Sequence, residues 1–215
     1  MTIRTALLQG KQLLEDAGVA APRLTAEVLL AHATGHDRAS LYAHSGDELR
    51  EVWWIHYGRY LHQRLQGQPT QQITGVQEFY GRDFHVTRDV LIPRPETEHV
   101  IEAALKLGAR NIVDIGTGSG AIAITLALET GAQVTGTDVS LAAMHVASKN
   151  GRTLGAAVQW VACDLASAVN GTFDLVVSNP PYVPTRDKST LQREVRDYEP
   201  EVALYGGDDG LEIYC

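Results

Sequence analysis

A change of hydrophobic period at Asn111 constrains this chain more than any other feature. Before it, apolar residues recur every three or four positions; after it, short apolar runs alternate with helical stretches. Asn111-Ile112-Val113-Asp114-Ile115 reads as a strand, and it runs directly into Gly116-Thr117-Gly118-Ser119-Gly120 and a helix over 121–129. Further strands are predicted at 133–137, closing on Asp138, at 158–162, closing on Cys163-Asp164, and at 173–178, with a helix over 141–150. Strands alternating with helices imply an α/β fold with a doubly wound parallel sheet. Ligands of such sheets bind beyond the carboxyl ends of the strands.

The region before it, 3–65, reads as three helices. Leu7, Leu8, Leu13, Leu14 and Ala17 define the first, with Gly18 as its stop. Pro22 opens the second, which ends before Gly35, and the third runs from about Asp47 to Leu65. His32 and His36 stand four apart, but a zinc-type HExxH pair needs a glutamate where Ala33 stands, so no metal site is expected. The adjacent Trp53 and Trp54 point about 100° apart on a helix, so the pair cannot be wholly core, and packing in the core or at a domain interface is expected. The expected role is a small helical bundle that recognises something.

Between the two, residues 76–92 alternate in the manner of strands, and a hairpin with its turn near Thr87-Arg88-Asp89 is predicted. Pro93-Arg94-Pro95-Glu96-Thr97-Glu98 then stiffens the entry to a helix over 99–107. A rigid connector explains the prolines but not Arg94 between them.

Composition narrows the class. Of 215 residues, 18 are Lys or Arg and 26 are Asp or Glu, a net charge of −8, which gives no long-range attraction to polyphosphate. A local basic patch is still compatible with it. The longest uncharged stretch, from Ile115 to Leu128, falls short of the ~18 apolar residues of a membrane span. The start carries no apolar signal core, and the two cysteines form no CxxC pair, so a soluble protein of a reducing, cytoplasmic compartment is expected.

The glycine loop is neither a P-loop nor the dinucleotide GxGxxG. What sharpens it is its acids. Asp114 precedes it, Asp138 closes the next strand 24 positions on, and Asp164 closes the third. Asp138 can take a ribose diol with both oxygens, and Asp164 can accept from an adenine amino group. An anionic lining repels a pyrophosphate but suits a sulfonium, which favours S-adenosyl-L-methionine over NAD. Helix capping alone would account for Asp138 but poorly for all three acids.

The fourth strand runs into Asn179-Pro180-Pro181-Tyr182. The Asn179 side-chain carbonyl and the Pro180 peptide carbonyl can hold both hydrogens of a planar NH2 group. That favours the pyramidal geometry that attack on a methyl group requires. The prolines stiffen the loop, and Tyr182 can stack on a planar group.

These residues resemble the class I S-adenosylmethionine-dependent methyltransferases that act on planar NH2 groups. Glu78-Phe79-Tyr80-Gly81, 91–98, 114–120, Tyr198-Glu199-Pro200 and 206–211 narrow the resemblance to the HemK/PrmC family of release factor glutamine N5-methyltransferases. The resemblance implies a helical substrate-recognition domain over 1–75, a β-hairpin linker over 76–95 and a Rossmann-like methyltransferase domain over 96–215. It implies methyl transfer to the side-chain amide of the glutamine in the Gly-Gly-Gln motif of class I peptide chain release factors, a modification that modulates translation termination, with S-adenosyl-L-homocysteine as the second product. By the same resemblance Asp114, Gly116, Thr117, Gly118, Ser119, Gly120, Asp138, Asp164, Leu165 and Asn179 bind the cofactor. Asn179, Pro180, Pro181, Tyr182 and Phe79 surround the substrate amide, and Asn179, Pro180 and Tyr182 carry the chemistry. Family members often have Trp at Leu165, and the tyrosine common before the connector is missing from Gln71-Gln72-Ile73. The family also continues past this chain's end, so the methyltransferase domain is expected to be cut short, with 173–178 as a sheet edge. The competing reading is a nucleic-acid amino-methyltransferase acting on adenine N6 or guanine N2, which would use Asn-Pro-Pro-Tyr in the same way.

Overall fold

The computed structural model describes residues 1–214, which divide into two compact units, 1–74 and 75–214. In the first, α1 (Ile3–Asp16), α2 (Pro22–Thr34) and α4 (Glu51–Leu65) are joined by two short helices, α3 (Arg38–Ala43) and α5 (Thr70–Thr74). Each boundary has a local cause. The Thr2 hydroxyl accepts from the Thr5 amide, Pro22 takes the first position of α2, and Asp37 accepts from the Ser40 amide. Leu14, Leu29, Leu30, Leu41, Tyr57 and Leu61 form the core, and both Trp53 and Trp54 pack partly buried against it.

Two expectations for this unit need correction. Residues 3–65 hold four helices rather than three, and α5 follows beyond them, because α3 and α5 are too short to show a 3.6-residue period. The long helix starts at Glu51, not near Asp47. Residues 47–49 are bound to the N-terminus instead, with Ile3 donating to the Asp47 carbonyl and Leu49 to that of Met1.

The second unit opens with an antiparallel hairpin, β1 (Val76–Phe79) and β2 (Arg82–His85). Its turn is Tyr80-Gly81, both at positive φ, the conformation that suits the twist of a two-residue hairpin. The Glu98 carboxylate accepts from the Tyr80 amide, and that of Glu78 from the Gly81 amide. The turn expected at 87–89 is a separate side-chain turn, in which Thr87 Oγ1 accepts from the Asp89 amide. The alternation misled because it continues past the true turn, which lacks an Asn-Gly or Asp-Gly signal.

After a 3-10 turn at Pro95–Thr97 come α6 (Glu98–Leu105), β3 (Asn111–Ile115), α7 (Ala121–Thr130), β4 (Gln133–Asp138), α8 (Leu141–Leu154), β5 (Val158–Ala162), β6 (Leu175–Ser178) and α9 (Arg193–Tyr198). The four strands β3 to β6 are all parallel, in the order β5-β4-β3-β6. The chain therefore winds outward from β3 through β4 to β5 and then crosses back to the other side of β3. This reversal opens a crevice between the carboxyl ends of β3 and β6. The loop Gly116–Gly120 leaves β3 there, and Asn179–Tyr182 leaves β6 there. Residues 121–126 of α7 are all buried, which seats the helix firmly behind the glycine loop. Among the described residues β6 is an edge strand, with Val177 buried and Val176 more than half exposed.

Candidate active site

The crevice is a cleft of about 160 Å³ that opens to solvent. Gly116, Thr117, Gly118 and Ser119 line it on one side, Asp138, Asp164 and Leu165 on another, and Asn179, Pro180 and Pro181 on a third. A Cβ added at Gly116 or Gly118 would meet nothing within 4 Å, so the bare backbone of the loop faces open space. Such a cradle fits a ligand that approaches the main chain closely, as the S-adenosyl cofactor would.

Asp138 projects from the end of β4. One carboxylate oxygen accepts from the Gly118 amide at 2.9 Å and the other from the Ser140 amide at 2.9 Å. Each oxygen keeps a further lone pair, so the two bonds fix the carboxylate without exhausting it. Asp164 and Leu165 follow β5, with Leu165 at φ 48°, a backbone conformation that costs a branched side chain free energy. The Cys163 amide donates to the Asp138 carbonyl, which keeps this loop beside β4.

Asp114 stands apart from the other two acids. It is fully buried and does not line the cavity. Its Oδ2 accepts from the Thr117 hydroxyl at 2.6 Å and from the Ala123 amide at 3.2 Å, and its Oδ1 has no partner among the described residues. Burial pushes its carboxyl up to about 7, against the downward pull of those two hydrogen bonds, and the nearby Asp138 charge adds to the rise. Asp114 therefore braces the glycine loop from beneath, rather than touching the cofactor as expected. Gly120 is a second correction. It too lies off the cavity, and a Cβ there would come within 2.9 Å of Ile124 and 3.0 Å of Trp160. It lets α7 start against the Trp160 ring.

At the end of β6 the Ser178 hydroxyl donates to the Ile115 carbonyl at 2.7 Å, which holds the two strand ends together. The Asn179 Nδ2 donates to Thr97 Oγ1 at 3.4 Å. Among the described residues no backbone amide donates to the Pro180 carbonyl. Tyr182, expected against the substrate, is 63% exposed and lies outside the cavity lining. Phe79, expected beside it, is buried in the core, edge-on to Phe84 with ring centroids 6.0 Å apart. Its place in β1 turns it inward with Phe84, and burying two rings is worth more than exposing one at a mouth.

Several supports escaped the sequence reading. Asn150 of α8 is buried. Its Oδ1 accepts from the His85 amide, and its Nδ2 donates to the carbonyls of His85 and Ser119. It thereby binds the hairpin to the glycine loop. Arg94 donates to the buried Glu199 carboxylate at 2.5 Å. The glycine-rich segment at 206–210 lies directly on the Asn179–Tyr182 loop. Val183 donates to the Leu204 carbonyl, Gly206 to that of Val183, and Thr185 to that of Gly207. A Cβ on Gly206 would sit 2.5 Å from the Pro181 carbonyl oxygen, and one on Gly210 would sit 2.3 Å from that of Tyr182. Only glycine permits this approach. Arg94 between two prolines, Glu199 and the glycines at 206–210 stood out in the sequence, but their contacts did not.

A doubly wound parallel sheet, a glycine loop braced by a buried acid and an Asn-Pro-Pro loop across the switch point define a Rossmann-like methyltransferase. Comparison with known proteins makes this specific. The domain family described as "PrmC N-terminal domain" matches residues 5–75, and "Methyltransferase small domain" matches residues 97–197. A release factor glutamine methyltransferase from Koribacter versatilis is 44% identical over 220 residues, covering 99% of this chain and 79% of its own length. One from Nitratidesulfovibrio vulgaris is 42% identical, covering 98% and 74%, and one from Chlorobaculum tepidum is 45% identical, covering 90% and 71%. The chain belongs to the release factor glutamine methyltransferase family, and it is shorter than these relatives. Among solved structures, the catalytic domain of hMettl16 in complex with a MAT2A 3'UTR hairpin superposes with a TM-score of 0.53 at 20% identity, over 67% of this chain and 58% of that one. That likeness is one of fold. Among the described residues no helix is long and apolar enough to cross a membrane.

Proposed function

We propose that this protein transfers a methyl group from S-adenosyl-L-methionine to the side-chain amide nitrogen of a glutamine in a peptide chain release factor. The observation that carries the reading is that Asn179 and Pro180 line the same cavity as the bare backbone of Gly116 and Gly118. A methyl donor and a planar NH2 group thus have adjoining places. The family supports the choice of a glutamine amide, and the Gly-Gly-Gln motif of class I release factors is the target that the resemblance implies.

The cofactor, when bound, supplies a methyl group on a positively charged sulfur. Asp138 and Asp164, which line the cavity with the loop 116–119, would hold its ribose and adenine. Asn179 Oδ1 and the Pro180 carbonyl accept the two hydrogens of the substrate amide. This would leave the nitrogen lone pair free for the methyl group. The C–S electron pair would remain on sulfur as the N–C bond forms, and one amide proton would leave after the nitrogen has become cationic. No strong base is required beforehand, so the protein contributes orientation and hydrogen bonding that strengthens as positive charge builds on nitrogen.

The test is incubation with labelled cofactor and, separately, purified release factor, DNA and ribosomal RNA, followed by peptide mapping. Label on the glutamine of Gly-Gly-Gln is expected. Label in nucleic acid alone would overturn the reading.

A further inference from the structure

Two walls of the cavity are joined behind it by one side chain. The loop Gly116–Ser119 forms one wall, and Asp89, Val90, Leu91 and Pro93 form another. The second wall continues the hairpin. It leaves β2 at His85 and runs along α8, where Val86 and Val90 are buried with Ala143 and Val146. Asn150 follows these two α8 residues at helical spacing, on the same face. It is 2% exposed and does not itself line the cavity.

Each of its three hydrogen bonds has only one possible direction. Oδ1 accepts from the His85 amide at 2.9 Å, and a backbone N–H can only donate. Nδ2 donates to the carbonyls of His85 at 3.0 Å and Ser119 at 2.9 Å, and a carbonyl can only accept. The amide therefore has a single orientation. On the loop side, the peptide between Ser119 and Gly120 is pinned at both ends, because the Gly120 amide donates to the Thr117 carbonyl at 2.8 Å. That peptide cannot turn without breaking one of the two bonds. We propose that Asn150 is a positioning residue for cofactor binding. It fixes the glycine loop against the segment 85–93, so the cradle is formed before the cofactor arrives. A preformed loop loses little freedom on binding, and affinity gains accordingly. The proposal rests on the methyl-transfer reading above, and it adds α8 and the hairpin to the parts that determine cofactor affinity.

Asn150→Asp keeps the shape but sets an oxygen against the His85 and Ser119 carbonyls. Asn150→Ser shortens the side chain and leaves room for water on the same backbone groups, and it gives the same reading should aspartate prevent folding. Calorimetry with S-adenosyl-L-homocysteine at pH 8, at a temperature where circular dichroism shows the chain folded, separates two effects. The Kd should rise by about 10- to 100-fold, the scale of a loop that must be ordered on binding. The number of sites per folded chain should stay at the wild-type value. With release factor as substrate, the KM for S-adenosyl-L-methionine should rise in step with the Kd, and saturating cofactor should recover most of the lost rate. A wild-type Kd in a folded variant overturns the proposal. So does a fall in the number of sites at unchanged Kd, which is the mark of a purely structural role, and so does a fall in kcat with KM unchanged. A wild-type protein that binds neither S-adenosyl compound fails at the functional reading and takes the proposal with it. Normal wild-type binding with indifferent Asn150 variants removes the proposal alone.

Discussion

The guanidinium of Arg94 and the carboxylate of Glu199 meet at 2.5 Å although 105 positions of chain separate them. Arg94 belongs to the turn before α6, and Glu199 follows α9. The pair joins the turn that carries Thr97 to the segment whose Pro200 and Ala203 line the cavity. Its two ends are unequal, since the Glu199 side chain is 1% exposed and that of Arg94 36%. Removing Arg94 strands a buried carboxylate, whereas removing Glu199 leaves a guanidinium that reaches water. Arg94→Met should therefore cost more folding stability than Glu199→Gln. A loss of about 2 kcal/mol is expected for the former, below the ~3–5 kcal/mol of a fully buried pair because Arg94 is partly solvated. Urea unfolding of both variants decides the order, and equal losses would contradict it.

Asn179→Ala removes the side-chain acceptor that the proposed reaction uses and leaves the glycine loop intact. Turnover should fall by about 10²–10³-fold, the usual effect of deleting one preorganised hydrogen-bonding group. Cofactor affinity measured by calorimetry should change by less than roughly tenfold (a 1.4 kcal/mol difference). Unchanged turnover would exclude Asn179 from the chemistry.

Gly210→Ala tests the support beneath the Asn179–Tyr182 loop. The new Cβ would press on the Tyr182 carbonyl, and Gly210 has φ 84°, which alanine adopts only with strain. A stability loss of about 1–3 kcal/mol is expected from the forced shift. Methyl transfer should drop further than the folded fraction does, because the displaced backbone is that of Asn179–Tyr182. Activity that merely follows the folded fraction would show that the segment is not coupled to the loop.

Asp114 links stability to pH. Its carboxyl has an ordinary value of 3.8 and is raised to about 7 in the fold. Below pH 4 it is protonated in both folded and unfolded chains, and its contribution is fully present. Between about 4 and 7 the unfolded chain releases the proton while the folded chain retains it, so stability falls as pH rises, and the loss is complete above about 7. Asp114→Asn cannot titrate. Unfolding free energies measured across this range should show the wild type losing stability relative to the variant as pH rises, and parallel profiles would refute the shift.

Much of this molecule was legible before any coordinates. β3 and β5 fall at the residues where apolar runs predict them, and α2 begins at Pro22 and stops before Gly35. These features depend on neighbours in sequence: periodicity, a ring that fixes φ, a residue that tolerates positive φ. The Asn-Pro-Pro-Tyr tetrapeptide and the glycine loop were visible for the same reason, as contiguous motifs whose chemistry is carried by adjacent atoms.

The roles of single residues were a different matter. Asp114 and Asp138 look alike in sequence, each an acid at a strand end, yet one is buried beneath the loop and the other faces the cavity. Phe79 and Tyr182 are both aromatics within contiguous motifs, yet the first lies in the core and the second outside the lining. The partners of Arg94, Asn150 and Asn179 lie 105, 65 and 82 positions away, respectively. The sequence by itself determined the class of sheet and the places of its glycine loop and Asn-Pro-Pro loop. Only the tertiary structure decided which acids face the cavity and which lie beneath it. Burial and long-range hydrogen bonds depend on how the sheet closes on its helices, and no local pattern of residue types encodes that.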